Sequence, residues 1–310
     1  MATRYALITG GTGFIGAALC RRLLDDGWDV HLVVRKDSRL TSLDGIIGQV
    51  TLHLHDGSTE GMQNVVRNAA PTTVFHLAAF VSAEHTLADI EPLVRSNIVF
   101  GTQLLEAMAS HGVSELVNTG TFWQHYDSNE YDPVCLYAAT KQAFESILTY
   151  YVNVMPLRAA TLKLFDTYGP YDPRNKLFSL LRRAADTQVP LAMSPGEQLV
   201  DLVYVDDVVE AFVAASLRLK EPGMKHEHYS VSSAAPIKLK DVVALYSRTI
   251  GIPVPIEWGL RPYRPREVMV PWNRGKPLPG WLPKTSLEEG IRRMEGLVKG
   301  SPCQPILKDK

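Results

Sequence analysis

The chain has 310 residues, 45% of them hydrophobic and 21% charged, which is typical of a globular protein with one large domain or two coupled ones. Its formal net charge of -1 excludes a general electrostatic attraction to nucleic acid or to an anionic membrane. No apolar run approaches the roughly 18 residues of a transmembrane helix, and a strand pattern begins within the first residues. We therefore expect no signal peptide, no membrane span and a cytoplasmic location.

The first element is a short apolar stretch, Tyr5 to Thr9, which predicts a strand buried inside a parallel sheet. Glycines follow at positions 10, 13 and 16, and an apolar helix is predicted from Phe14 to Leu24. Gly10 permits a tight turn, Gly13 lets backbone approach a pyrophosphate, and Gly16 lets the helix pack on the sheet. The helix N-terminus adds free N–H groups and a positive dipole end. We therefore predict a dinucleotide site with contacts from Gly10, Thr12, Gly13, Phe14, Ile15 and Gly16.

The second predicted strand, Val30 to Val34, is followed by a basic pair, Arg35 and Lys36, with Arg39 beyond. An acidic residue at this strand end would hydrogen-bond the adenosine ribose of NAD, whereas a cation suits the 2′-phosphate of NADP. A solvated basic loop is the alternative interpretation. The pair favours NADP(H) over NAD(H) as cofactor.

Two further strands continue the pattern. Val50 to Leu54 precedes Asp56 and Gly57, which are placed to contact the adenine edge, and Thr59 to Asn68 is amphipathic. Thr73 to Ala79 combines a strand with a turn of small residues. Backbone can lie close to the cofactor there, at Leu77, Ala78 and Ala79. This alternation with short connections predicts an α/β fold, a Rossmann-type doubly wound parallel sheet.

Polar residues follow the fifth predicted strand, Leu116 to Gly120. Thr119 and Thr121 lie at or just past its C-terminal end, where open α/β sheets place their chemistry. Tyr137 and Lys141 are four residues apart at the start of a long predicted helix, so both project from one helical face.

The chain resembles an extended short-chain dehydrogenase/reductase of the NAD(P)-dependent nucleotide-sugar epimerase/dehydratase/reductase group. The residues that carry this resemblance are Gly10-Gly11-Thr12-Gly13-Phe14-Ile15-Gly16, His76-Leu77-Ala78-Ala79, Asn97 with Gly101-Thr102, Tyr137 with Lys141, Tyr168-Gly169-Pro170 with Asp172-Pro173, Val205-Asp206-Asp207, and Ser286-Leu287-Glu288-Glu289-Gly290. They span nearly the whole chain, and their order and spacing are more specific than any single motif.

The resemblance implies that Tyr137 shuttles a proton to or from the oxygen of an alcohol/ketone pair while a hydride moves to or from the nicotinamide. A free tyrosine has a pKa of about 10. Lys141 would stabilise the phenolate and hydrogen-bond the nicotinamide ribose. Thr119 best matches the hydroxyl that polarises the substrate oxygen, and Thr121 is the alternative. The expected substrate contacts are Trp123, Gln124, Asp166, Asn175, Lys176 and Arg264.

Two departures from the family pattern bear on the reaction. Relatives that dehydrate nucleotide sugars carry an Asp-Glu pair where this chain has Gly120 and Thr121, so a 4,6-dehydratase is disfavoured. Relatives often have an arginine on the nucleotide phosphates where this chain has Val200. Arg264 and Arg266 are the candidates to replace it, because arginine suits a diphosphate. We favour Arg264, because the resemblance implies an Arg-Pro pair at this place. A solvated basic loop is the alternative for both.

The remaining elements complete two lobes. The pattern predicts helices over 94–111 and 208–219, strands over 161–165, 199–205 and 229–232, and two helical segments after 237 separated by a proline-rich run over 252–283. We assign 1–165 and 199–235 to a dinucleotide-binding domain, and 166–198 and 236–310 to a smaller, interleaved C-terminal substrate lobe. The last ten residues show no period, so we expect a frayed end.

The cysteines give no evidence of a metal site. Cys20, Cys135 and Cys303 lack the spacing of metal ligands and are typical of reduced thiols. His53 and His55 share a strand face without a third ligand nearby, so we interpret them as ordinary strand residues.

Three functions are compatible with this sequence. The first is NADPH-dependent reduction of a nucleotide-linked 4-keto-6-deoxy sugar, as in the reductases that make abequose-like sugars. The second is a nucleotide-sugar epimerase that keeps its cofactor, although epimerases of this group mostly carry an acidic residue where Arg35 stands. The third is a non-catalytic NADP-binding regulatory protein. The resemblance also implies a homodimer formed through a four-helix bundle. The sequence leaves open the nucleotide (CDP, dTDP, GDP or UDP), the sugar and the product stereochemistry.

Overall fold

The computed structural model describes residues 4–127 and 130–298. The expectations for the last ten residues and for Cys303 lie outside these ranges. In chain order the strands are β1 Tyr5–Thr9, β2 Asp29–Val34, β3 Val50–Leu54, β4 Thr73–His76, β5 Glu115–Thr121, β6 Arg158–Leu164, β7 Asp166–Tyr168, β8 Leu191–Met193, β9 Leu199–Val200, β10 Leu202–Tyr204, β11 His226–Val231, β12 Ile237–Lys238 and β13 Ile256–Trp258.

Seven of these strands form one parallel sheet in the order β11-β6-β5-β4-β1-β2-β3. The chain order reverses next to β1, which is the switch point where doubly wound sheets bind dinucleotides. Strand β4 is buried throughout and β1 at every residue except Tyr5, because both of their faces are covered. The predicted doubly wound parallel sheet is confirmed.

Helices cover both faces of the sheet. They are α1 Phe14–Asp25, α2 Thr59–Ala69, α3 Ile90–Val94, α4 Phe100–Ser110, α5 Leu136–Val154, α6 Leu177–Thr187, α7 Val205–Arg218, α8 Leu239–Ile250 and α9 Leu287–Met294. One apolar core joins α1 and α7 to the sheet, and a second joins α2, α4 and α5 to the opposite face. The C-terminal ends of β1, β4 and β5 therefore open at one edge between the two layers.

Two elements differ from the sequence pattern. The helix predicted over 94–111 is interrupted by a π-helical turn, Arg95–Val99, between α3 and α4. The strand predicted over 199–205 is two short strands, because buried Asp201 leaves the ladder. Its carboxylate accepts hydrogen bonds from the Ser232 hydroxyl at 2.5 Å and the Ser233 N–H at 2.7 Å. As a result β9 pairs with β12, while β10 pairs with β7.

A third core lies in the segments assigned to the substrate lobe. Its buried residues come mainly from β7, α6, α8 and α9 and include Tyr168, Phe178, Tyr246 and Ile291. Close packing at Gly290 holds α9 against β7 in this core, since a Cβ there would lie 2.1 Å from the Tyr168 hydroxyl. The domain boundaries themselves stay a prediction.

Within residues 4–127 and 130–298, no helix is both long enough and apolar enough to cross a membrane. The same ranges contain no group of three or more His, Cys, Asp or Glu that could hold a metal ion. His53 instead pairs with His31, with 2.8 Å between their ring nitrogens.

Candidate active site

The turn between β1 and α1 is built for close approach of backbone. Gly10 has a φ of +73°, and a Cβ at this position would lie 2.7 Å from the Ala78 nitrogen at the end of β4. A Cβ on Gly16 would lie 2.1 Å from the Gly10 carbonyl oxygen. Only glycine fits both positions. The turn is therefore held against the small-residue segment that includes Leu77, Ala78 and Ala79.

The N-terminus of α1 is open to an anionic ligand. Gly13 occupies the N-cap position without a side-chain cap, and it is exposed. Its neighbours Thr12, Phe14 and Ile15 are half-buried at the same turn. The free N–H groups and the absence of side chains fit the pyrophosphate of a dinucleotide.

The residues predicted to contact the adenosine half lie after β2 and β3. Arg35 follows β2 directly; its side chain is 70% exposed and its Nε lies 3.4 Å from an Asp37 carboxylate oxygen. Lys36 is also exposed. Asp56 accepts hydrogen bonds from the N–H and the hydroxyl of Ser58, which lower the pKa of this carboxyl, and Gly57 follows with a φ of +92°. The structure brings both segments to the edge where α1 begins.

Tyr137 and Lys141 lie on the first two turns of α5 and are both buried, at 8% and 1% exposure. Burial raises the pKa of Tyr137 above its ordinary value, and the Cys135 thiol beside it adds to this shift. Burial lowers the pKa of Lys141 to about 8, against the opposing effect of Glu145. The pair therefore lies in a desolvated position where charge on either group matters to the other.

A buried amide holds this part of α5 in place. Asn97, in the π-helical turn, donates a hydrogen bond of 2.9 Å to the Thr140 hydroxyl and another to the Phe80 carbonyl. Thr140 in turn donates to the Tyr137 carbonyl oxygen at 2.7 Å. The π-helical turn thus connects the loop after β4 to the helix that carries Tyr137 and Lys141.

The two candidate threonines on β5 have different environments. The Thr121 hydroxyl accepts a hydrogen bond from the Trp123 N–H at 3.3 Å and caps a short 3-10 turn. The Thr119 hydroxyl is buried and has no hydrogen-bond partner among the described residues. A buried hydroxyl without a partner is costly, so Thr119 is the one available for a substrate oxygen.

Gln124 is one of the buried side chains packed behind the end of β5. The sequence places it among the substrate contacts, but its side chain is fully buried. Its amide oxygen accepts from the Thr121 N–H at 3.0 Å, and its amide nitrogen donates to Gln142 at 2.7 Å and to Glu145 at 3.0 Å. These contacts position the β5 end instead of facing a ligand.

The side chains packed behind the end of β5 also crowd position 120. A Cβ there would lie 2.9 Å from a Glu145 carboxylate oxygen, 2.9 Å from the Lys163 Cδ and 3.0 Å from the Gln124 amide oxygen. A side chain at position 120, where this chain departs from the dehydratase pattern, would therefore require at least one of these three side chains to shift.

Arg264 and Asp166, both in segments assigned to the substrate lobe, interact electrostatically. The Arg264 guanidinium lies 5.6 Å from the centre of the Trp123 ring and is held by Glu267 at 2.9 Å. Burial raises the pKa of Asp166, while Lys176, Arg264 and Arg174 oppose the shift. The predicted contacts Trp123, Asp166, Lys176 and Arg264 therefore lie near one another.

Other predicted residues are further from this group. Asn175 is exposed just before α6. Arg266 pairs with Asp132 and lies over the Tyr126 ring at 4.2 Å, so it fixes a loop. Val200 is in β9 and pairs with Ile237.

The sequence analysis missed Arg174. Its guanidinium lies 5.0 Å from the centre of the Phe14 ring and is held by Asp172 at 2.7 Å. Its positive charge acts on both Tyr137 and Asp166. Its place directly after Asp172-Pro173 was the available signal.

Comparison with known proteins agrees with this geometry. Residues 6–232 match the profile of the NAD dependent epimerase/dehydratase family. The chain belongs to this family. It is 26% identical to CDP-abequose synthase of Salmonella typhimurium over 295 residues, covering 94% of this chain and 97% of that protein. It is also 26% identical to UDP-glucuronate 4-epimerase of Thermodesulfobacterium geofontis over 311 residues, with 93% and 94% covered.

Solved structures of the family share the fold. The Thermus thermophilus UDP-glucose 4-epimerase, a complex with NAD, superposes with a TM-score of 0.78 at 25% identity, covering 93% of this chain and 96% of that one. The Thermotoga maritima UDP-glucose 4-epimerase, solved with UDP-glucose, gives a TM-score of 0.81 at 24% identity and the same coverage. The sequence-based assignment to the nucleotide-sugar epimerase/dehydratase group is confirmed.

The two threonines should respond differently to loss of the hydroxyl. Thr121→Val removes the acceptor for the Trp123 N–H and should lower the free energy of unfolding by about 1 kcal/mol. Thr119→Val removes a buried hydroxyl without a partner and should leave stability unchanged or raise it. Urea unfolding of both variants beside the wild type tests this. Equal destabilisation by the two substitutions would contradict the assignment.

Proposed function

We propose that this protein reduces a nucleotide-linked 4-keto-6-deoxy sugar with NADPH, with Tyr137 as the proton donor. The observation that carries the proposal is the Arg35 cation directly after β2, in a chain that keeps a buried Tyr137–Lys141 pair. A cation there suits the 2′-phosphate of NADP, the usual cofactor of reduction. Similarity to CDP-abequose synthases supports the direction of the reaction.

The residues divide the work of the reduction. NADPH supplies the hydride when it is bound by the glycine turn. Tyr137, kept protonated by burial, donates its proton to the ketone oxygen. The Lys141 ammonium stabilises the phenolate that Tyr137 becomes. The Thr119 hydroxyl donates a hydrogen bond to the same oxygen, where negative charge develops. Arg174 adds a second positive charge near Tyr137.

The nucleotide sugar would lie between the two lobes. Its contacts would be Trp123, Asp166 and Arg264, which lie near one another, together with the exposed Lys176 and Asn175. We propose Arg264 as the diphosphate contact, since Val200 supplies no charge and arginine forms a planar two-point contact with phosphate. Relatives named for both CDP and UDP sugars leave the base open.

An epimerase is the second candidate. The 26% identity to UDP-glucuronate 4-epimerase over 311 residues supports it. The same Tyr137–Lys141 pair would transfer the proton in an epimerase. The Arg35 cation argues against it, because NAD would prefer an acidic residue there. The buried, intact pair also disfavours the third candidate, a non-catalytic NADP-binding regulatory protein.

The deciding assay follows absorbance of NADPH or NADH with a panel of CDP, dTDP, GDP and UDP 4-keto-6-deoxy sugars. We expect stoichiometric NADPH oxidation with one of them. Tyr137→Phe should lower kcat by at least about 100-fold, because it removes the proton donor. Mass spectrometry of released cofactor belongs in the same experiment. A tightly bound NAD that is never consumed, together with sugar isomerisation, would establish the epimerase instead.

The cofactor preference should depend on Arg35. Arg35→Ala removes the proposed partner of the 2′-phosphate and should raise Kd for NADPH roughly 10-fold, about 1.4 kcal/mol. The Kd for NADH should stay within about twofold. Arg67→Ala, which removes an exposed arginine of α2 that is paired with Asn64, is the matched control. Equal loss for both cofactors would refute a 2′-phosphate contact.

We also propose a cytoplasmic homodimer built from the α4 and α5 faces. Val99 and Tyr150 are 43% and 61% exposed there, while Leu104, Leu105 and Leu148 lie inside the protomer core. Sedimentation should give a dimer at micromolar concentration, and Tyr150→Glu should weaken it by placing a charge in an apolar contact. A monomeric wild type would remove the proposal.

A further inference from the structure

A buried ion pair joins α5, the helix that carries Tyr137 and Lys141, to β6. Glu145, one turn after Lys141 on α5, is 2% exposed, and its carboxylate accepts two hydrogen bonds from the Lys163 ammonium, at 2.8 and 2.7 Å. Lys163 lies on β6 with its side chain 3% exposed. Burying two charges costs free energy that their mutual attraction rarely exceeds, so such a pair is poor evidence for stability alone.

The Glu145 carboxylate also contacts the elements that surround the site. The amide nitrogen of Gln124, from the turn after β5, donates a hydrogen bond to it at 3.0 Å. The amide oxygen of Gln124 accepts a hydrogen bond from the Thr121 N–H. His228 of β11 places its Nδ1 at 3.5 Å. One carboxylate therefore joins α5, β5, β6 and β11 next to Lys141.

The two charges of the pair act on Lys141 in opposite directions. The Glu145 carboxylate raises the pKa of Lys141, and the Lys163 ammonium lowers it. In a buried setting such interactions extend further than in water because solvent does not screen them. Glu145 thus favours the charged form of Lys141, and Lys163 opposes it.

The other titratable groups around this position do not replace the pair. They are Tyr137 on α5, His76 on β4, His125 after β5, and His226 and His228 on β11. Burial lowers the pKa of His76 to about 3 and that of His226 to about 4. It also lowers the pKa values of His125 and His228. These histidines are neutral at pH 7, so Glu145 and Lys163 supply the local charge.

We propose that Glu145, held by Lys163 and Gln124 one helical turn from Lys141, is a positioning residue of the active site that offsets the Lys163 charge and so keeps Lys141 charged beside Tyr137. The inference deepens the proposed function, since it rests on the role of Lys141 as the partner of Tyr137. It is independent of the sugar and of the direction of hydride transfer.

The test measures the charge of Lys141 in the full chain without any substrate. Protein labelled with carbon-13 at lysine Cε is titrated by NMR, and Lys141→Met identifies the Lys141 signal. Glu145→Gln leaves Lys163 unpaired and should lower the midpoint by about one pH unit, a roughly tenfold loss of proton affinity. Lys163→Met leaves Glu145 unpaired and should raise the midpoint by a similar amount.

Two control variants separate electrostatics from structure. The double variant Glu145→Gln/Lys163→Met removes both charges and should return the midpoint close to that of the wild type. Lys163→Arg keeps the charge and should not move it. A pair with a purely structural role predicts lower Tm in the variants and an unmoved midpoint, which would overturn the proposal.

The titration still decides the proposal if Glu145→Gln does not fold or if no nucleotide sugar is reduced. If Glu145→Gln does not fold, Lys163→Met decides alone, and an unchanged or lowered midpoint refutes the proposal. If no nucleotide sugar is reduced, the titration still reports on Lys141, so failure of the proposed reaction is distinguishable. Where activity is measurable, kcat of Glu145→Gln should recover as pH falls, whereas KM for the cofactor should change little.

Discussion

The contact on which the site depends is that of the glycine turn with the backbone around it. A Cβ on Gly16 would lie 2.1 Å from the Gly10 carbonyl oxygen, so helix and turn approach more closely than any side chain permits. This contact fixes the direction of α1 and leaves its N-terminus uncapped at the sheet edge. Because β1 lies at the switch point of the sheet, the ends of β4 and β5 open beside the same helix end. Tyr137, Thr119 and the Arg35 cation are arranged around that opening.

A second constraint is the desolvation of Tyr137 and Lys141. Burial raises the pKa of Tyr137 and lowers that of Lys141 to about 8, so the surroundings favour the neutral form of both. The site offsets this cost with fixed neighbours instead of water. Asn97 and Thr140 hold the backbone of the helix, and the Glu145 carboxylate opposes the shift of Lys141. The reactive groups are thereby positioned before any ligand arrives.

The features of this site that depend only on nearby residues in the chain could be predicted from the amino-acid sequence. The strands, the glycine turn, the basic strand end and the four-residue spacing of Tyr137 and Lys141 all depend on neighbours in the chain. The prediction of a single strand over 199–205 was wrong, because the Asp201 carboxylate accepts hydrogen bonds from Ser232 and Ser233, which lie 31 and 32 residues further along the chain. Arg174 and the burial of Gln124 were missed for the same reason, since their partners come from other elements. Residue type alone did not distinguish Thr119 from Thr121, and only the hydrogen bond to Trp123 does so.

The crowding at Gly120 limits how this enzyme can evolve. The dehydratase pattern places a carboxylate at this position, yet the space of its Cβ is taken by Glu145, Lys163 and Gln124. A single Gly120→Asp change would bring a second carboxylate against a buried one, at a cost in both volume and charge. An acidic residue at position 120 therefore requires Glu145 or Gln124 to move or to be replaced as well. The side chains packed behind position 120, and not that position alone, thus determine which residue types the end of β5 accepts.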